Sequence, residues 1–240
     1  MLTQYRLTLH ANRPVQLSWA YLLYASLLRK APYEIGQKWH QTGWTPVSQH
    51  LTAEGDTCLW TVNLLDQESE AALSDILTQA DRFQLHRSVT LSVQTRQRTS
   101  IPDMDALLQQ ISGCSGRHRL TFRTPTAFKS QKKYCNLPTV RLLLQSLIRS
   151  WNLCGLPLIP EEALVPLADG LSFRHFMLKD QGYALKGHAI PGFAGTLELE
   201  NSLSGSNRQL VNALLYFSQF AGVGIKTTLG MGGTEHQFLP

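Results

Sequence analysis

Residues 4–11 alternate, Tyr5, Leu7 and Leu9 against Arg6, Thr8 and His10, which is the two-residue period of a strand with one buried face. Residues 16–30 change to helical spacing, with Leu17, Tyr21, Tyr24 and Leu28 on one side, and stop before Pro32. Two strand-like runs, 45–51 and 58–64, follow on either side of the turn-forming Ala53, Glu54, Gly55 and Asp56, so a hairpin is expected. The pattern then predicts a helix over 68–80, through Ala71, Leu73, Ile76 and Leu77, and one long strand over 83–98. The resulting order, β-α-β-β-α-β, is that of a ferredoxin-like unit.

A short helical piece at 103–111 and a Ser/Gly-containing stretch at 112–116 form a plausible linker, after which the order begins again. Residues 118–128 predict a strand broken at Pro125, 139–151 an amphipathic helix, and 172–179 and 183–190 strands. Residues 196–200 extend the last of these or form a separate strand. A helix over 207–220 and an extended segment from Gly224 onward complete the pattern. The fold class expected is α+β, two tandem ferredoxin-like (RRM-like) domains, 1–112 and 117–240. The repeat rests on element order alone, because the halves share no evident sequence identity.

Composition narrows the class. The chain has 240 residues, 43% of them hydrophobic, enough for one large core or two small ones. No apolar run is long enough for a membrane span and the N-terminal residues alternate like a strand, so no membrane partner and a cytoplasmic location are expected. Cys58, Cys114, Cys135 and Cys154 are far apart, with no C-x-x-C pair to suggest zinc or a disulfide framework. The net charge is only +5, but between Arg82 and Lys133 ten basic residues, Arg87 among them, stand against Asp103 and Asp105. That stretch carries +8 and leaves −3 on the rest. A segregated positive region suits a polyanion, whose condensed counterions are released on binding.

Residues 222–233 concentrate the candidate binding chemistry: Gly222, Gly224, Gly230, Gly232 and Gly233 surround Lys226, Thr227 and Thr228. Glycines allow positive φ and close backbone approach, so successive N–H groups can point at phosphate oxygens. Lys226 would add a charge and the threonines hydroxyl donors. A Walker or dinucleotide loop must open a helix, whereas this segment follows one. No cofactor is therefore expected, and no histidine or carboxylate grouping suggests a metal.

The pattern G-h-G-x5-G-h-G after the helix 210–220 resembles the CRISPR-associated endoribonucleases that process precursor CRISPR RNA, the sixth Cas family of the RAMP superfamily. Phe122-Arg123-Thr124-Pro125-Thr126-Ala127-Phe128, Leu137-Pro138 ahead of a helix ending Arg149-Ser150-Trp151-Asn152, and Gly192-Phe193-Ala194-Gly195-Thr196-Leu197 occur in the same family's order. The resemblance implies a metal-independent cut in which a ribose 2′-hydroxyl attacks the neighbouring phosphate, leaving a 2′,3′-cyclic phosphate and a 5′-hydroxyl. It implies a partner in the repeat hairpin of a CRISPR transcript and, after cutting, other Cas subunits of an effector complex. A non-catalytic RNA-binding subunit of such a complex is the alternative.

The family places its catalytic histidine between the first helix and the second strand, where His40 stands in a loop beside Trp39. Histidine suits acid or base work because both of its forms are available near neutrality. His50 is the second choice. His10, His86, His118, His175, His188 and His236 fall in strand-like or terminal segments where structural roles are expected. The family's assisting tyrosine matches Tyr24. Its lysine normally follows the histidine, but here no lysine occurs between His40 and Lys129, leaving Lys38 as the substitute. Arg29, Lys30, Arg123, Lys129, Lys132 and Lys133 are further candidate RNA contacts.

Overall fold

The computed structural model describes residues 1–86 and 89–240, with His86 as backbone only. Arg87, counted in the basic stretch above, therefore lies outside the described residues, as does the middle of the strand expected over 83–98. Two antiparallel strands, of five and thirteen residues, flank that point instead. The first domain runs β1 (Leu2–Ala11), α1 (Trp19–Leu28), α2 (Tyr33–Thr42), β2 (Val47–Glu54), β3 (Thr57–Leu64), α3 (Gln67–Gln79), β4 (Arg82–His86) and β5 (Val89–Ile101). Its strands form one antiparallel sheet in the order β2-β3-β1-β5-β4.

The alternation in β1 has the consequence expected of it. Tyr5, Leu7 and Leu9 stand opposite Val62, Trp60 and Cys58, and all six are buried in one core with Leu23 and Leu27 of α1 and Leu73 and Leu77 of α3. The opposite face carries Gln4, Arg6, His50, Thr61 and Asn63. Asp66 starts α3 through a capping box: its side chain accepts from the Ser69 N–H at 2.7 Å, and Ser69 answers at the Asp66 backbone.

After α4 (Met104–Gln110), the second domain is β6 (Arg117–Thr126), β7 (Phe128–Ser130), β8 (Lys133–Cys135), α5 (Val140–Leu153), α6 (Leu164–Asp169), β9 (Leu171–Asp180), β10 (Tyr183–Leu185), β11 (His188–Ile190), β12 (Phe193–Asn201), α7 (Gly205–Ala221) and β13 (Thr234–Phe238). The main sheet has the order β13-β6-β12-β9, and α5 and α7 cover its apolar side around Leu120, Phe122, Leu144, Trp151, Leu197 and Phe217. Stripped of its insertions, this is again β-α-β-β-α-β, so the fold is two ferredoxin-like domains in tandem.

Several expectations need correction. Residues 183–190 are two three-residue strands joined through Lys186 and Gly187, both at positive φ; of the two alternatives for 196–200, the separate strand is the one found, within β12. The strand expected to run to Phe128 ends at Thr126, and Phe128 opens the β7–β8 hairpin, whose turn places Gln131 and Lys132 at positive φ. Beyond Gly224 the chain is not extended: residues 227–229 make a 3₁₀ turn before β13. The helix α2 was not expected, and it carries His40.

A third, smaller core lies where the domains meet. Ala127, Tyr183, Leu185, Ile190 and Met231 pack there with Leu17 and Tyr21 of the first domain. Tyr183 donates its hydroxyl to the Leu229 carbonyl at 2.7 Å. Among the described residues no helix is long and apolar enough to cross a membrane, and all four cysteines are free.

Candidate active site

The glycine-rich segment 222–233 folds into the junction between the domains. Thr228 donates its hydroxyl to the Val47 carbonyl at 3.0 Å, and Gln49 Nε2 donates to the Thr228 carbonyl at 2.9 Å. The glycines are required here by packing. Gly230 has φ 104°, and a Cβ there would press on the Tyr183 hydroxyl and come within 2.6 Å of Ala20 Cβ. A Cβ on Gly233 would come within 2.6 Å of His50 Cβ.

The N–H groups of Gly222, Gly224, Gly232 and Gly233, and of Val223 and Ile225 between them, are committed within the protein, contrary to the expectation that they face phosphates. Gly222 donates to Ser218 O, Val223 to Gly232 O, Ile225 to Ala127 O and Gly232 to Pro125 O, all at 2.9–3.0 Å. Gly224 and Gly233 donate to Ser146 Oγ at 2.7 Å and Thr124 Oγ1 at 2.9 Å. What the segment offers outward is Lys226, held at φ 58°, with the Leu229 and Met231 N–H groups both directed at its carbonyl. A left-handed conformation at a lysine costs of order 1 kcal/mol and persists only where the surroundings enforce it.

Lys226, Thr227 and Thr228 form the floor of a cleft of about 410 Å³ between the domains. Gly43, Trp44 and Thr45, from the connection between α2 and β2, supply one wall. The other comes from Phe128 and Lys129 of β7 and from Leu142, Gln145, Ser146, Arg149, Ser150 and Leu153 of α5, a single face at three- and four-residue spacing. Among the described residues the lining holds three cations, Lys129, Arg149 and Lys226, and no carboxylate, histidine or cysteine. None of the three enters an ion pair with a described residue.

That distinguishes them from four arginines of the basic stretch, which folding sets against carboxylates. Arg96 pairs with Asp81 at 3.5 Å, Arg98 with Glu70 at 3.0 Å, Arg119 with Glu198 at 2.7 Å and Arg123 with Glu235 at 2.6 Å. Arg123 is thereby neutralised on its sheet. Arg29 donates to the Gln84 carbonyl at 2.9 Å, tying α1 to β4, while Lys30 lies exposed just beyond α1. Lys132 and Lys133 are exposed on the β7–β8 hairpin that carries Lys129.

His40 is exposed in the last turn of α2, three residues before the cleft wall begins at Gly43. It is a helical residue, not a loop residue. Lys38 is two positions away, roughly 200° around the helix, so the two side chains diverge. Lys38 Nζ instead meets Glu68 Oε1 at 2.5 Å. Tyr24 is buried; burial pushes its hydroxyl up to about 12, against a hydrogen bond with Thr45 that acts the other way. It braces the cleft wall from behind. The structure thus joins Tyr24, Thr45, Lys129 and Lys226 around one cleft and leaves Lys38 outside it.

His50 is buried against Gly233, and burial lowers it to about 4, with Arg6 and Arg123 adding to the effect and Glu235 opposing it. His118 and His236 share a bond of 2.9 Å between Nδ1 and Nε2, and burial lowers them to about 4 and about 3. These three are neutral structural histidines near pH 7. Arg149 and Ser146 were missed as site residues, although the spacing of the α5 face through residues 142, 145, 146, 149, 150 and 153 was available in the sequence.

Residues 120–234 match the family model CRISPR-associated endoribonuclease Cas6. A CRISPR-associated endoribonuclease Cas6 of Streptococcus thermophilus is 28% identical over 202 residues, 82% of each chain. Its counterpart from Mycobacterium tuberculosis is 26% identical over 221 residues, 90% of this chain and 70% of its own. Among solved structures, a Cas6 product complex superposes with a TM-score of 0.82 at 20% identity, over 99% of this chain and 100% of that one, a likeness of fold. The chain is an endoribonuclease built on tandem ferredoxin-like domains. It resembles the CRISPR-associated endoribonuclease family Cas6, whose model matches its second half and whose relatives match most of its length.

Proposed function

We propose that this chain binds the repeat of a precursor CRISPR RNA in the interdomain cleft and cuts it by 2′-hydroxyl transesterification without a metal ion. The observation that carries the reading is the lining of the cleft: three cations without carboxylate partners among the described residues, between the connection that follows His40 and the face of α5. A phosphodiester in such a cleft meets positive charge with no competing acid. The crowded phosphorane of the reaction needs that compensation most. Lys129, Arg149 and Lys226 are the residues that supply it in this reading, and Lys132 and Lys133 extend the positive surface along the hairpin.

His40 serves as the acid or base. Transesterification needs one group to take the 2′-hydroxyl proton and one to give a proton to the leaving 5′ oxygen, and an exposed imidazole has the ring nitrogens to do either. Tyr24 is too deeply buried to touch RNA and acts through Thr45. The role given to Lys38 by family resemblance passes to a cation of the cleft, since Lys38 is engaged by Glu68.

The test uses the repeat RNA of the protein's own locus in EDTA, once as all-ribose and once with a 2′-deoxy group at the cut site. Cleavage of the first alone, with a cyclic phosphate on the product, is expected. His40→Ala should lower the single-turnover rate by about a hundredfold or more. Cutting of the deoxy substrate, or a wild-type rate in the variant, sinks the mechanism or the assignment respectively.

A further inference from the structure

Four of the five tryptophans do what tryptophans ordinarily do. Trp19, Trp39, Trp60 and Trp151 are 7%, 4%, 0% and 0% exposed and belong to the two main cores. Trp44 is only partly buried and is a member of none of the three cores among the described residues. A side chain with this much apolar surface is normally covered by the fold or by something the fold binds.

The backbone around Trp44 is firmly held. Gly43, at φ 67°, ends α2, and the Thr42 hydroxyl contacts the Trp39 and Trp44 carbonyls at 3.2 and 3.1 Å. On the other side Thr45 is bonded to buried Tyr24, and the Pro46 carbonyl accepts from Leu65 N–H at 2.9 Å. The residue between these anchors lines the cleft that holds Lys129, Arg149 and Lys226. An aromatic residue beside unpaired cations is the combination that grips unstacked nucleotides, the ring taking the base face and the cations the phosphate. A cleft of about 410 Å³ falls in the range that encloses a ligand of that size.

We propose that Trp44 is the stacking platform for one unpaired base of the RNA, the nucleotide whose phosphate lies among Lys129, Arg149 and Lys226. The inference rests on the cleft being the RNA site. It adds a specific contact with a base, made by a residue outside the catalytic assignment. Stacking of this kind tolerates any base, so Trp44 fixes where an unpaired nucleotide must fall without dictating which one it is.

Since the other tryptophans are buried, quenching of tryptophan emission by RNA reports on Trp44. The experiment titrates the full chain with repeat RNA carrying a 2′-deoxy group at the cut site, and follows binding independently by anisotropy of a dye on the RNA. Wild-type protein should show quenching that saturates with binding. Trp44→Phe should bind within a few-fold of wild type with that quenching lost, and Trp44→Ala should bind about tenfold or more weaker. Binding of the wild type without quenching overturns the stacking role and leaves the RNA site standing, as does equal weakening by Phe and Ala. Failure of the wild type to bind the RNA at all overturns both. If the alanine variant does not fold, the wild-type and phenylalanine titrations still decide the matter.

Discussion

Gly230 shows how a single missing methyl group sets the position of a functional loop. Its φ of 104° and the nearness of Tyr183 and Ala20 leave no room for a Cβ, so Gly230→Ala combines backbone strain with overpacking. A loss of about 2–4 kcal/mol in urea unfolding is expected, and a loss under 1 kcal/mol would show that the junction yields more easily than its packing implies. The cluster of glycines was legible as a special loop, but its reason was not. At Gly224, Gly230 and Gly233 the atoms that forbid a side chain belong to residues 20, 50, 127 and 183, and no local pattern announces neighbours so far away in the chain. The same distance hides the acceptors of the glycine N–H groups, so local reasoning directs those donors to phosphate. Lys226 lines the cleft with a left-handed backbone, and its RNA contact is part of the proposed reading.

At the scale of elements, α2 was the least visible part of the fold. Its sequence YEIGQKWHQT turns only Ile35 and Trp39 to the core, an apolar stripe of two residues that is too short to stand out; Pro32 before it and Gly43 after it mark its ends. The consequence reaches the site, because a helix separates His40 and Lys38 whereas a loop could have brought them together. Lys38→Ala is accordingly expected to leave single-turnover cleavage within about twofold of wild type and to cost under about 1 kcal/mol, as exposed pairs generally do. A large fall in cleavage would mean that the lysine leaves Glu68 for the RNA. The alternating strands and the helices α3, α5 and α7 were legible because each has an apolar face and a covered partner. The hairpins β7–β8 and β10–β11 were not, since three-residue strands show no period.

Over the whole molecule, charge read along the chain proved a poor guide to charge in space. Arg98, Arg119 and Arg123 find their carboxylates at positions 70, 198 and 235, and only folding reveals which cations are left over. Two buried histidines, His50 at the domain junction and His118 in the second sheet, and the partly buried His236 bonded to His118, give the molecule a definite response to acid. His50, His118 and His236 are lowered to about 4, 4 and 3 in the fold, against about 6.5 unfolded, so above pH 6.5 neither state takes up protons at them. As pH falls from 6.5 toward 4 the unfolded chain binds protons that the native one refuses, and stability declines. Each histidine contributes at most about 1.4 kcal/mol per pH unit, so denaturant midpoints should drop clearly from pH 7.5 to pH 5; an unchanged or higher midpoint would contradict this. The interdomain position of residues 222–233 also bears on biosynthesis. Both walls of the cleft precede its floor in the chain, so a ribosome finishes the α2–β2 wall and the α5 wall long before the segment that joins them emerges. A domain can fold as it is made. The complete cleft, however, exists only after that late segment has docked against Val47 and Gln49, so nascent chains carry both walls without the finished grip.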